Sequence, residues 1–213
     1  MTPLLRWGDA LLKLELLRPR GSVSDRAPVP SGPVALSGNQ ALSFARPGAE
    51  FALRGVVTHE MRQALAIWGA RIVPSAPRWQ PDPAVFAASL GQELLEQLAQ
   101  APALIVCPAG EAEALAGAAA ALQKRWPRVR AVALLAGDVE LPDLPRTAEL
   151  PPGIERVVVS RAAAAQARAQ VGRELGLLAN HAGAAAAAHA RQHGGVAIVT
   201  ALGEREFSLE EAQ

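Results

Sequence analysis

Tyrosine is absent from this sequence, cysteine occurs once, and of the 21 basic residues only Lys13 and Lys124 are lysines. A single thiol, Cys107, excludes an internal disulfide framework and fits a reducing compartment. It has no CxxC partner and ends an apolar run, so it reads as a packing residue. Neither sign of charge is in excess: 21 basic against 20 acidic side chains leave a formal net charge of +1. That balance offers no electrostatic case for nucleic acid or for a membrane surface. Long apolar runs are missing too. None reaches the roughly 20 residues needed to cross a bilayer, and the alanine run 184–188 is short and borders His189. The N-terminus has no basic segment leading into an apolar one, so no signal peptide is expected. These absences lead us to expect a soluble, cytoplasmic protein.

What is present suffices for a core. Half of the 213 residues are hydrophobic, enough for one domain or two small lobes at this length. Residues 1–26 read as a strand pair, with Leu12-Lys13-Leu14-Glu15-Leu16 alternating at period two as a half-buried strand does. Proline and glycine from Pro19 to Pro33 predict loop, and three prolines within 27–33 forbid a helix there. Short strands are expected at Val34 to Leu36, Glu50 to Leu53 and Arg71 to Val73. A helix capped by Thr58 is expected from His59 to Trp68, with Met61, Leu65 and Trp68 on its apolar face. From there the pattern is regular. A helix runs from Pro83 to Ala99 behind the cap Asp82, followed by a buried strand at Ala103 to Cys107 and a helix from Glu113 to Trp126. A strand at Val129 to Leu135 precedes an acidic, proline-rich connection over 137–153 and a strand at Arg156 to Val159. A helix capped by Ser160 reaches Leu175, another spans Ala182 to Arg191, and Gly195 to Thr200 is the last strand. Such alternation predicts an α/β fold with a mostly parallel sheet and helices on both faces.

Gly21-Ser22-Val23-Ser24-Asp25-Arg26 resembles the G-S-[VF]-K-D-R segment of the cysteine synthase family, the fold-type II pyridoxal-phosphate (PLP) enzymes of tryptophan synthase β-like fold. Thr2-Pro3-Leu4 and Leu12-Lys13-Leu14-Glu15 resemble that family's T-P-L and L-K-L-E, and Ser37-Gly38-Asn39-Gln40 resembles its S-G-N-T loop. Arg62 to Val73, Ala103 to Gly117 and Arg173 to Ser208 continue the likeness in order. It covers nearly all of the chain, with two large gaps near 27–33 and 74–81 where the family has peripheral helices. The resemblance implies a large domain formed by 1–33 and 75–213 and a reduced, mobile small domain at 34–74.

The resemblance also implies losses. The family's lysine forms the Schiff base with the cofactor, and Ser24 stands in its place; a hydroxyl cannot form an imine. A G-T-G-G-T loop cradles the cofactor phosphate through backbone N–H groups. Here Gly110, Glu111, Ala112, Glu113 and Ala114 occupy it. Two carboxylates within ~4 Å of a dianion repel it by ~4 kcal/mol each at an effective dielectric of about 20, although both also suit the positive end of a helix dipole. Leu202 stands where a serine would bond the pyridine nitrogen, and leucine has no group to do so. Lys13 has a lysine counterpart in the family, and Lys124 lies at the far end of a surface helix, so neither is a substitute. PLP is therefore expected not to bind. The turn Ser37-Gly38-Asn39-Gln40 survives. In the family it holds the substrate carboxylate and receives the C-terminal peptide of serine acetyltransferase. It would suit a small carboxylate or a peptide C-terminus, or else it is only a structural strand-to-helix turn.

His189 and His193 stand four apart on one helix with His181 eight residues earlier, but no H-E-x-x-H-like carboxylate accompanies them, so no metal site is expected. The expected function is that of a truncated, non-catalytic cysteine synthase-like pseudoenzyme serving as a binding, regulatory or scaffold subunit. Its partner would be a second copy or another protein, with no nucleic acid and no membrane. The alternative is a PLP-fold enzyme of amino-acid (cysteine) metabolism with atypical or PLP-free chemistry.

Overall fold

The computed structural model describes residues 1–201. Leu202, with the last residues (202–208) of the Arg173 to Ser208 segment on which part of the resemblance rests, lies outside the described residues. An antiparallel pair, β1 (Leu4–Trp7) and β2 (Ala10–Lys13), opens the chain. Short 3-10 turns at Glu15–Leu17 and Val23–Arg26 follow, the second capped by Ser22, whose side chain accepts from the Ser24 N–H. Residues 27–33 contain no helix, as the prolines dictate.

Next come β3 (Val34–Ser37), α1 (Gly38–Phe44), β4 (Glu50–Arg54), α2 (His59–Ile67) and β5 (Arg71–Ile72). These three strands form a parallel sheet of their own in the order β3-β4-β5. Residues 77–79 run along the free edge of β3, with Ala35 N–H donating to the Pro77 carbonyl at 2.8 Å. Thr58 caps α2, and Met61 and Leu65 are buried as their spacing predicts. Trp68 is not on the buried face: it is the C-cap residue and 42% exposed, because the helix ends before the ring can turn inward.

The remaining elements build the larger sheet. α3 (Pro83–Phe86) passes through a π turn (Ala87–Gly91) into α4 (Gln92–Gln97), where one uninterrupted α-helix was expected. The Ser89 hydroxyl donates to the Val85 carbonyl at 2.8 Å beside that wider turn. Then follow β6 (Leu104–Pro108), α5 (Ala112–Arg125), β7 (Arg130–Ala136), β8 (Ile154–Val159), α6 (Arg161–Leu175), α7 (His181–His193) and β9 (Val196–Ile198). The strand order is β1-β2-β9-β6-β7-β8, parallel except for β1.

Alternate side chains of the central strands divide the interior. Ile105, Cys107, Ala131, Ala133, Val196 and Ile198 face α3, α4 and α5, and this cluster continues without a break into the three-stranded sheet through Leu36, Phe44 and Met61. Leu104, Val106, Val132, Leu134 and Ala197 face α6 and α7. Almost every α7 contact on that side is alanine, which lets the helix lie close to the strands. The alternating stretch 12–16 departs from the half-buried expectation. Leu12, Lys13, Leu14, Glu15 and Leu16 are all buried, and the strand stops at Lys13. Its two charged members are buried because they are paired, Lys13 with Glu93 at 2.7 Å and Glu15 with Arg26 at 2.6 Å.

Among the described residues no helix is long and apolar enough to cross a membrane. Nor is there a group of three or more metal-ligating side chains. His189 and His193 touch, with ring centroids 4.4 Å apart, whereas His181 is buried at the start of α7 rather than on their face.

Candidate functional site

The C-terminal ends of β3 and β6 meet the connection between β7 and β8, and the singled-out residues gather there. β6 is apolar and buried throughout, so its end delivers Gly110 and Glu111 into the interior just before α5 begins. The Val23–Arg26 turn brings Ser24 to the same place. Ser24 is 1% exposed, and its hydroxyl donates to the Glu111 carboxylate at 3.1 Å to Oε1 and 3.3 Å to Oε2. Two residues 87 apart in sequence therefore meet directly. Nothing within a few residues of Ser24 marks this partner, although the residue lies in a short turn.

Glu111 is buried, and burial raises its pKa well above the ordinary glutamate range, helped by the nearby charges of Asp143 and Glu113 and opposed by hydrogen bonds from Ser24 and Gln40. The same environment pushes the Cys107 thiol up: burial first, then the charge of Glu111. Cys107 Sγ lies 3.8 Å from the Glu111 carbonyl oxygen. It is a buried, protonated thiol, as the packing reading has it.

The turn Ser37-Gly38-Asn39-Gln40 caps α1 with its own side chains. Ser37 Oγ accepts from the Gln40 N–H, and Gln40 Oε1 accepts from the Ser37 N–H at 3.1 Å, a reciprocal capping box. Gly38 has no room for a side chain, since a Cβ there would lie 2.5 Å from Met61 Sδ. The outward groups of the turn hold Asp143: Ser37 Oγ donates to its Oδ1 at 3.2 Å and Asn39 Nδ2 to its Oδ2 at 2.6 Å. Asn180, the N-cap of α7, donates to the same Oδ2 at 3.3 Å.

Asp143 went unnoticed in the sequence because it lies in a connection. A signal was there: Leu141-Pro142-Asp143-Leu144 has the proline and the short polar residue of a tight turn. The structure closes it, with Leu141 and Leu144 exchanging backbone hydrogen bonds at 3.2 and 3.0 Å and Asp143 at φ 60°. The Asp143 carbonyl accepts from the Gly110 N–H at 3.0 Å, and a Cβ on Gly110 would lie 2.7 Å from Asp143 Cα. Only glycine allows that approach. Above these residues opens a cleft of about 440 Å³, bordered by Ser37, Arg54, Arg78, Trp79, Glu113 and Asp143. Ala112 and Ala114 are buried in α5 and Glu113 is half-buried.

Both lysines lie elsewhere. Lys13 Nζ is spent on Glu93, the Thr2 carbonyl and Gln97. Lys124 is in the last turn of α5, the opposite end from Glu111.

The Glu111 carboxyl sets a pH dependence. Its pKa rises on folding, so the native state keeps a proton that the unfolded chain gives up above about 4.3. Stability therefore falls as pH rises from that value towards the raised one. Glu111→Gln removes the titration and keeps a hydrogen-bonding partner for Ser24. Urea titrations should show its advantage over the wild type growing from pH 5 to pH 8, to about 1–3 kcal/mol. A variant less stable than wild type at pH 8 would contradict this account.

No protein-family model matches the sequence, and none of the curated proteins is similar to it. Solved structures are. The O-acetylserine-dependent cystathionine β-synthase from Helicobacter pylori superposes with a TM-score of 0.77 at 17% identity, covering 97% of this chain and 94% of that one. O-ureido-L-serine synthase gives 0.78 at 19%, covering 97% and 90%. A hydrogen sulfide-producing enzyme from Fusobacterium nucleatum gives 0.77 at 14%, covering 96% of each chain. At these identities the likeness is one of fold, and the fold is that of the tryptophan synthase β-like PLP-dependent enzymes. Within that class the neighbours are cysteine synthase-like.

Proposed function

We propose that this chain is a truncated cysteine synthase-like protein that no longer carries PLP chemistry and acts as a binding or regulatory subunit. The hydrogen bond between Ser24 and Glu111 is the observation that carries this reading. It joins the position of the Schiff-base lysine to the position of the phosphate loop, side chain to side chain. The residues there do not fit PLP: no amine is at hand, a buried carboxyl stands in for phosphate-binding glycines, and the Gly110 N–H is engaged by Asp143. The partner is a second copy or another protein subunit. Exposed apolar side chains such as Ile67 and Trp68, which border a groove with Pro19, Ala45 and Pro47, support that part of the reading.

The test is borohydride trapping after dialysis against excess PLP. Wild type should show no absorbance at the visible edge and no covalent label. Ser24→Lys alone should also remain unlabelled, because Glu113 still opposes the phosphate and the Gly110 N–H stays engaged by the Asp143 carbonyl. Stoichiometric labelling of the wild type sinks the proposal. The buried Glu111 carboxyl beside a hydroxyl also favours a second reading, PLP-free acid chemistry at the Ser24–Glu111 pair below the cleft. Amino-acid turnover by wild type that Glu111→Gln abolishes would select it.

A further inference from the structure

The larger sheet ends on an open edge. β8 is its last strand and pairs with β7 alone. Gly137 N–H donates to the Val159 carbonyl at 2.8 Å, which turns the backbone groups of Val159 towards β7. Those of Val157 and Glu155 follow by alternation, and those of Arg156 and Val158 point out of the sheet. Among the described residues nothing bonds these outward N–H and C=O groups. Sheet edges are ordinarily blunted by proline, a bulge, an outward charge or a covering element. The run Ile154–Val159 has neither proline nor glycine, and Val158 is 65% exposed. Its one cation, Arg156, reaches back to the Ala148 carbonyl at 3.2 Å.

A second copy of β8 satisfies this edge in one antiparallel register. With a two-fold axis through Val157, Arg156 lies opposite Val158 of the second copy and Val158 opposite its Arg156. Each couple exchanges two N–H···O=C bonds, and no like charges meet. An axis through Glu155 or Arg156 would set like charges face to face. An axis through Val158 would draw in Ser160, which has left the strand to cap α6. Beyond the strand, Ser160 and the exposed Ala162, Ala163 and Ala165 are small and leave room for the other copy. We infer that β8 is the surface through which two copies of this chain associate, antiparallel about Val157, joining their larger sheets into one. The inference rests on the reading of the chain as a subunit and names its partner and its surface.

Sedimentation velocity of the full chain should show a dimer. Val158→Pro removes an outward N–H that the single chain does not use, a place where an edge strand tolerates proline. It should sediment as a monomer with an unchanged far-ultraviolet circular dichroism spectrum. Charge reads the register: Val158→Lys faces Arg156 of the second copy and should weaken dimerisation roughly tenfold, whereas Val158→Glu faces it as a counter-charge and should not. Oxidation should link Val157→Cys between copies, since such a cross-strand pair sets the Cα atoms about 4.5 Å apart; Cys107 is buried and takes no part. A wild type that stays monomeric at every concentration, or a dimer that Val158→Pro leaves intact, overturns the inference. So do lysine and glutamate variants that act alike, or a different protein that co-purifies and is released by Val158→Pro. Should Val158→Pro fail to fold, the lysine and glutamate pair decides. A dimer indifferent to all three variants removes this interface and leaves the subunit reading standing. PLP labelling of the wild type removes that reading and leaves the sedimentation result untouched.

Discussion

Arg26→Ala is expected to cost about 3–5 kcal/mol, the range for removing one partner of a buried ion pair. The guanidinium is 2% exposed and bonds two carboxylates: Glu15, fully buried, at 2.6 Å through Nε and 2.8 Å through Nη2, and Glu93 at 2.8 Å. Thr2 Oγ1 and Lys13 complete the network, which ties the first residues of the chain to the Val23–Arg26 turn and to α4. Alanine leaves Glu15 buried and without its cation. At 213 residues, the melting temperature should fall by roughly 6–20 °C. Burial alone would raise the Glu93 pKa, but hydrogen bonds from Arg26 and Lys13 outweigh it and hold the carboxyl far below its ordinary range. That contribution is present above about pH 4.3 and is lost as pH falls. The variant should therefore lose less further stability on acidification than wild type. Urea denaturation at pH 7 and pH 3 measures both effects. A loss below about 1 kcal/mol at pH 7 would place this network among ordinary surface pairs.

Gly117→Ala should run against the usual helix rule. Alanine in place of a mid-helix glycine normally gains about 1 kcal/mol. A Cβ at position 117, however, would lie 2.2 Å from the Pro83 carbonyl oxygen, 2.7 Å from Phe86 Cβ and 2.8 Å from the Ala87 backbone nitrogen. Two of those three atoms are backbone, so relief requires α5 to move off α3. We expect a loss of about 2–3 kcal/mol, in the range of overpacked cores. Gly172 in α6 is the control. Nothing lies nearer to its Cβ position than the Leu177 carbonyl at 4.0 Å, and Gly172→Ala should stabilise by a few tenths to 1 kcal/mol. Chemical denaturation of the pair is decisive: if both variants shift stability in the same direction, the close approach of α5 and α3 has been misread.

Much of the fold was legible because local chemistry and tertiary demand agree over most of the chain. Thr58, Asp82 and Ser160 each cap the helix that their position announces. The unbroken apolar run at Leu104–Pro108 is a central parallel strand, where both faces need burial. Disagreements fall where an interaction from far along the chain intervenes. Lys13 and Glu15 look like the exposed half of a strand until Glu93 and Arg26 arrive from elsewhere to pair with them. Trp68 fits an apolar helical spacing but sits one residue beyond the helix that would have turned it inward.

The sequence by itself determined the elements, their alternation into a parallel α/β sheet, and the absence of a lysine at position 24, since composition, period and capping act within a few residues. It also drew Ser24, Glu111 and the Ser37–Gln40 turn out as residues to watch, but as separate motifs. Only the tertiary structure decided that Ser24 and Glu111 bond each other and that Asp143 fills the donors of Ser37 and Asn39. Those contacts span 87, 106 and 104 residues. No periodicity reaches so far; the partners meet because parallel strands with helical crossovers bring their C-terminal ends, and the loops that leave them, to one side of the sheet.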